Sequence, residues 1–174
     1  GLANLENILG AVGVGFALGL PNRAIADGIA GLEAVPGRLE RVKNSRGISV
    51  LVDYAHTPDA LERVISAVRP LTKGKLVVLF GCGGDRDRGK RSLMGEIAAR
   101  QADLAVLTSD NPRSEDPLGI LEEIEAGVSK TGLKQFQISD FKSQLENPKA
   151  KIQNPKLDRG YFVEPDRRAA IRLA

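Results

Sequence analysis

A chain of 174 residues in which 42% are hydrophobic and 27% charged is long enough for one domain with a real core plus a small appendage, and its composition is that of a globular chain, not of a disordered one. Its 25 Lys and Arg are offset by 22 Asp and Glu, and the resulting net charge of +3 is too small to argue for a nucleic-acid partner. Cys82 is the single cysteine and His56 the single histidine, which rules out an intrachain disulfide and a histidine-rich metal site and leaves a reducing, cytoplasmic setting as the expectation.

The chain opens on Gly1-Leu2-Ala3-Asn4, almost inside a helix and without an initiator Met, as a piece of something longer would. The apolar stretch from Ile8 to Leu20 has no basic leader and is too short and glycine-interrupted to span a bilayer. Leu5 to Leu18 is expected as a well-buried helix. Gly10, Gly13 and Gly15 each cost it about 1 kcal/mol relative to Ala, a loss that close packing against another helix offsets. Pro21 ends it, and a short helix follows from Asn22 to Leu32. After Pro36-Gly37, the runs Arg38 to Val42 and Ile48 to Val52 flank the turn Asn44-Ser45-Arg46-Gly47, which predicts a β-hairpin leading into a core strand.

Beyond it the pattern alternates: helix Pro58 to Val68, strand Lys75 to Phe80, helix Lys90 to Arg100, strand Leu104 to Leu107, helix Pro117 to Val128. Thr57-Pro58 and Asp116-Pro117 each put a capping side chain before a proline at the first helical position. Gln144 to Arg159 is polar and proline-broken, a flexible insertion or loop; Tyr161 to Val163 is a further strand, and Glu164-Pro165-Asp166 opens a last helix. The fold class is therefore α/β: a Rossmann-like, mostly parallel sheet flanked by helices, with a helical segment before it.

Two loops sit at carboxyl ends of strands, where open α/β sheets bind ligands: Gly81-Cys82-Gly83-Gly84-Asp85-Arg86-Asp87-Arg88-Gly89-Lys90-Arg91 and Ser109-Asp110-Asn111-Pro112-Arg113-Ser114-Glu115-Asp116-Pro117. Paired Arg and Asp residues with an Asn suit a ligand carrying both carboxylate and ammonium groups, an amino acid zwitterion. The first loop has phosphate-loop spacing, yet Arg91 stands where Ser or Thr holds magnesium and two aspartates oppose phosphate. Its glycines suggest close backbone approach to a ligand. In Asp53-Tyr54-Ala55-His56-Thr57-Pro58, Asp53 suits a ribose, Tyr54 a base and His56 a phosphate or ribose; alternatively Asp53 and Thr57 only cap the next helix. Asp110-Asn111-Pro112-Arg113 likewise has a plain reading as an Asx-type turn, and Cys82 as a small packing residue.

Taken together, Pro36-Gly37-Arg38-Leu39-Glu40, Asp53 through Ala60, Gly81 through Arg91, Leu93-Met94-Gly95, Asp110-Asn111-Pro112-Arg113 and, more loosely, Asp166-Arg167 with Ala170-Ile171 resemble the Mur ligases of peptidoglycan synthesis, within them the branch that adds meso-diaminopimelate. The resemblance covers most of the chain up to about Val128. It implies an ATP-dependent amide ligase that uses Mg2+, phosphorylates the glutamate side-chain carboxylate of UDP-MurNAc-L-Ala-D-Glu and lets the incoming amine attack the acyl phosphate. Residues 1–35 would be the helical end of a central ATP-binding domain and 36–174 the C-terminal domain, incomplete at its end, where the family's Gly-Lys-Gly-His-Glu segment is missing. By the same resemblance Arg38, Asp53, Tyr54, His56 and Asn7, with Asn4 beside it, would face ATP, while Arg86, Asp110, Asn111 and Arg113 would hold meso-diaminopimelate. The family's phosphate loop, magnesium carboxylates and carbamylated lysine have no counterpart here, so the chain alone is expected to be inactive. A folylpolyglutamate synthetase-like ligase domain and a stand-alone Rossmann-like nucleotide-binding module are the alternatives.

Overall fold

The computed structural model describes residues 5–32, 34–138 and 159–174. Asn4, and the loop expected over 144–159 apart from Arg159, lie outside the described residues. The chain divides into two compact units, Gly1–Ala55 and His56–Ala174.

In the first unit, α1 (Leu5–Ala17) and α2 (Asn22–Gly31) precede a hairpin of β1 (Glu40–Val42) and β2 (Val50–Val52), antiparallel with Arg41 opposite Leu51. The turn is built as its residues suggest. Asn44 accepts from the Arg46 amide at 3.0 Å and donates to the Ile48 carbonyl at 2.9 Å, and Gly47 takes the left-handed φ of 71°. Two expectations fail in this unit. Helix α1 is not well buried: Gly15 is its one buried residue among those described, close against Ile25 of α2, while Leu9, Val14 and Phe16 are exposed. Nor is β2 a core strand, since it pairs with β1 alone and Leu51 and Val52 stay exposed; a two-stranded ribbon forms a single layer and buries little.

The second unit carries α3 (Pro58–Val68), β3 (Val77–Phe80), α4 (Gly89–Gln101), β4 (Leu104–Leu107), α5 (Pro117–Ser129), β5 (Lys134–Gln135), β6 (Gly160–Val163) and α6 (Arg167–Leu173). All four strands are parallel in the order β3-β4-β6-β5, so the α/β, parallel-sheet expectation holds; β5 is an edge strand that the sequence pattern did not suggest. Strand β4 is buried throughout. Its Ala105 and Leu107 face a layer formed with Leu61 and Ile65 of α3, Met94 of α4 and Ile124 of α5, while Leu104 and Val106 face Phe162 and Ala170. Among the described residues no helix is long and apolar enough to cross a membrane.

Caps set where the helices begin. Thr57 Oγ1 accepts from the Ala60 amide at 3.3 Å, Asp116 from Leu118 at 3.2 Å, and Asp166 from Arg168 at 2.8 Å and Ala169 at 3.0 Å. Thr57 is thus the cap of α3, and Asp53 is not. At the other end of α4, the Arg159 guanidinium donates to the carbonyls of Ala99 at 2.8 Å and Arg100 at 2.6 Å, answering carbonyls of the last helical turn with a cation.

Candidate functional site

Because β3 and β4 are adjacent and in register, with Phe80 beside Leu107, the loops that follow them leave the sheet side by side. The Thr108 amide still bonds to the Phe80 carbonyl at 3.0 Å, and the Gly84 amide reaches the Asn111 carbonyl at 2.9 Å. Glycine is required at this contact. A Cβ on Gly81 would overlap the Thr108 carbonyl oxygen, one on Gly84 the Pro112 carbonyl, and one on Gly83 would lie 3.0 Å from Arg113 Nη1. The glycines therefore serve approach of loop to loop, a use the sequence did not suggest, because the parallel pairing leaves the two backbones no wider gap.

The loop amides also decide the phosphate question. Asp85 N–H donates to Glu115 Oε1 at 2.6 Å and Gly89 N–H to Asp87 Oδ1 at 2.9 Å, so carboxylates of the chain itself occupy donors that a phosphate loop keeps for its ligand. Cys82 packs with its sulfur 3.7 Å from that of Met94, and burial pushes its thiol up to about 11, which keeps it un-ionised. It is a packing residue.

Of the residues expected to hold an amino acid, all are exposed and all belong to these two loops. Arg113 takes a left-handed φ of 51° with its amide 3.3 Å from Asn111 Oδ1, the Asx-type turn, and its Nη1 donates to the Gly84 carbonyl. Arg86 Nη1 donates to the next carbonyl, that of Asp85, at 3.1 Å. The two guanidinium groups thus rest on consecutive carbonyls of one loop. Asp110 stands exposed beside Asn111. Asp85 is itself left-handed, φ 52°, and its carboxylate accepts from Ser114 Oγ at 2.7 Å and from the Ser114 amide at 3.2 Å; the Ser114 hydroxyl is the main reason its carboxyl ionises below the ordinary range.

The residues assigned to a nucleotide fall in both units. In the first unit, Arg38 lies 5.2 Å from the centre of the exposed Tyr54 ring, a cation–π pair. Asp53 accepts from the Leu39 amide and from the Ala55 amide, each at 2.9 Å, which holds Leu39 at a φ of 46° and leaves part of the carboxylate open to a further donor. Asn7 is exposed on the first turn of α1. His56 belongs to the second unit, exposed, with its carbonyl accepting from Lys90 Nζ at 2.8 Å.

Sequence reasoning gave no role to the group beneath the loops. Arg91, fully buried on the first turn of α4, donates to Glu115 Oε1 at 2.7 Å and Oε2 at 2.9 Å, to Glu123 Oε2 at 2.9 Å and to the Gly83 carbonyl at 3.3 Å. Arg88 adds a bond to Glu123 from Nε at 2.9 Å. Arg91 chiefly, and the Asp85 amide next, hold the Glu115 carboxyl down to about 2. A signal was present: cations at a helix N-terminus oppose the macrodipole, so Lys90-Arg91 called for acidic partners.

Comparison with known proteins agrees with this layout. Residues 37–174 match the family described as "Mur ligase, glutamate ligase domain". The UDP-N-acetylmuramoyl-L-alanyl-D-glutamate--2,6-diaminopimelate ligase of Geobacter metallireducens is 49% identical over the whole chain, which corresponds to 32% of that relative. The chain thus spans about a third of the length of the curated relatives it matches. A solved structure of a UDP-N-acetylmuramoyl-L-alanyl-D-glutamate--2,6-diaminopimelate ligase superposes with a TM-score of 0.58 at 34% identity, covering 98% of this chain and 29% of that one. The folylpolyglutamate synthase of Thermotoga maritima has a TM-score of 0.54, covering 94% of this chain and 35% of that one, but at 18% identity it shares the fold alone. With a matched model over 37–174, the parallel sheet and the paired loops all in agreement, the chain belongs to the Mur ligase family.

Proposed function

We propose that the chain is the amino-acid-binding part of an ATP-dependent amide ligase that adds meso-diaminopimelate to UDP-MurNAc-L-Ala-D-Glu. The observation that carries this reading is the pair of tied loops at the carboxyl ends of β3 and β4, which puts Arg86, Arg113, Asp110 and Asn111 on one strand-end face of the second unit. Each guanidinium spends one donor on a backbone carbonyl and keeps others for a carboxylate. Asp110 accepts an ammonium group, and the Asn111 side chain orients it. A substrate with a second carboxylate gives Arg113 a partner that lysine lacks.

In this reading ATP would phosphorylate the glutamate side-chain carboxylate with release of ADP, and the amine would then displace phosphate from the acyl phosphate. This chain's part is to hold the attacking amine in place, which lowers the barrier by proximity without the loops breaking a bond. Residues 1–35 form the end of the ATP-binding domain in this reading, and Arg38, Asp53, Tyr54, His56 and Asn7 turn toward the nucleotide; the Arg38–Tyr54 pair and the open side of Asp53 suit a base and a ribose. Among the described residues no group of three or more His, Cys, Asp or Glu could hold a metal ion.

The test places these 174 residues in the Geobacter metallireducens relative, in exchange for its matching segment. The chimera is expected to prefer meso-diaminopimelate over L-lysine. Arg113→Ala is expected to raise KM for meso-diaminopimelate about 10- to 100-fold while kcat changes little, the loss of a charge-assisted bidentate pair. Lysine competing equally in the unaltered chimera refutes the role of Arg113.

A further inference from the structure

We propose that Arg91 is a positioning residue for the amino-acid loops, locking the β3 loop to the β4 loop from beneath and so fixing where Arg86 and Arg113 stand. This rests on the amide-ligase reading and adds to it a residue that touches no substrate.

Arg91 sits where a cation is doubly disfavoured, with no exposure to solvent and on the first turn of α4, at the positive end of the helix dipole. Its Nε has no hydrogen-bond partner among the described residues. A buried cation with an unanswered donor calls for a structural reason, and its other bonds offer one. Those bonds reach three separate elements: Gly83 in the first loop, Glu115 in the second and Glu123 on α5.

Glu115 then passes the constraint on. Its Oε1 receives both Arg91 Nη2 and the Asp85 amide, so one carboxylate oxygen sets the distance between the loops. Asp85 precedes Arg86, and Arg113 lies two residues before Glu115. Both Asp85 and Arg113 occupy left-handed backbone, which side-chain-bearing residues keep only where their surroundings impose it. Ser114, clamped by the Asp85 carboxylate, closes the circuit. Only a planar fork serves these acceptors together; a lysine ammonium reaches one or two of them.

The experiment titrates meso-diaminopimelate into the chimera described above, followed by amide NMR of the exchanged segment, for the unaltered sequence, Arg91→Lys and Glu123→Gln. Arg91→Lys is expected to weaken binding about tenfold, to move the amide signals of Asp85 and Ser114 before ligand is added, and to leave the signals of β4 in place. In the same variant the Glu115 carboxyl should titrate nearer 4.5 than its present value of about 2. Glu123→Gln removes a support of Arg91 that lies outside both loops, and a smaller loss in the same direction is expected; it decides the matter if Arg91→Lys does not fold. Undiminished affinity with unmoved loop signals in a folded variant overturns the proposal and leaves the ligase reading standing. An unaltered chimera that binds no meso-diaminopimelate overturns both.

Discussion

In the second unit, α4 and α5 meet backbone to backbone: a Cβ on Gly95 would overlap the Ile124 carbonyl, and one on Gly127 the Ser92 carbonyl. In the first unit, a Cβ on Gly10 or Gly13 of α1 would meet nothing within 4 Å. The same residue type, in helices of equal length, is therefore a packing requirement in one place and an unfilled position in the other. The candidate sites follow suit. The amino-acid residues are cross-tied within one unit, whereas those assigned to a nucleotide are shared between two. A site that selects a substrate by geometry needs the first kind of support, and the second unit has the core to provide it.

The sharpest way to break that comparison is Gly127→Ala. Alanine brings about 1 kcal/mol of helix propensity, but overpacking costs about 1–3 kcal/mol, and here the upper end applies because the obstacle is a carbonyl of a packed helix, not a side chain that can rotate away. A net loss of about 2 kcal/mol is expected in urea unfolding followed by circular dichroism, as the difference of those two quantities. Unchanged stability would mean that α4 and α5 are not in backbone contact.

Acid should act next most strongly, and on the loops. The Glu115 carboxyl is held at about 2 in the folded chain against an ordinary 4.5, chiefly by Arg91, so the folded state binds fewer protons than the unfolded state between these values. Its contribution is complete above about pH 4.5 and is lost as pH falls toward 2. Glu123, lowered first by Arg88 and then by Arg91, adds to the same trend. The stability difference between the unaltered chain and Glu115→Gln, measured by urea unfolding from pH 7 to pH 3, should therefore shrink as pH falls. A constant difference would show that the pair does not exist in solution.

Much of the second unit was legible because its elements depend on local chemistry. Leu104–Leu107 has the unbroken apolar run of a strand covered on both faces, and Thr57-Pro58 and Asp116-Pro117 fix two helix starts through bonds within a few residues. Strand β5 escaped notice because Lys134 and Gln135 are exposed at a sheet edge and owe their conformation to β6, which follows only at Gly160. The burial of β2 was misjudged for a related reason: Ile48 to Val52 is apolar, but burial depends on a second layer that a run of residues cannot declare. The loop composition suggested an amino-acid ligand. The left-handed backbone at Asp85 and Arg113 was not legible, since neither is glycine, and contacts about thirty residues away help to hold both.

The smallest expected effect separates the two uses of glycine within one helix. Gly13→Ala meets open space in α1 and should stabilise the first unit by about 0.5–1 kcal/mol, through helix propensity and a less flexible unfolded chain. Gly15→Ala, two residues on, gains the same propensity but puts its Cβ 2.7 Å from Ile25 Cδ1. That atom ends a flexible side chain, so the clash is relieved by a rotamer change and costs about 0.5–1.5 kcal/mol, enough to cancel the gain. Thermal unfolding should then rank Gly13→Ala above the unaltered chain, with Gly15→Ala level or slightly below it. If both variants gain equally, α1 does not pack on α2 at Gly15, and the first unit lacks the one close helix contact ascribed to it.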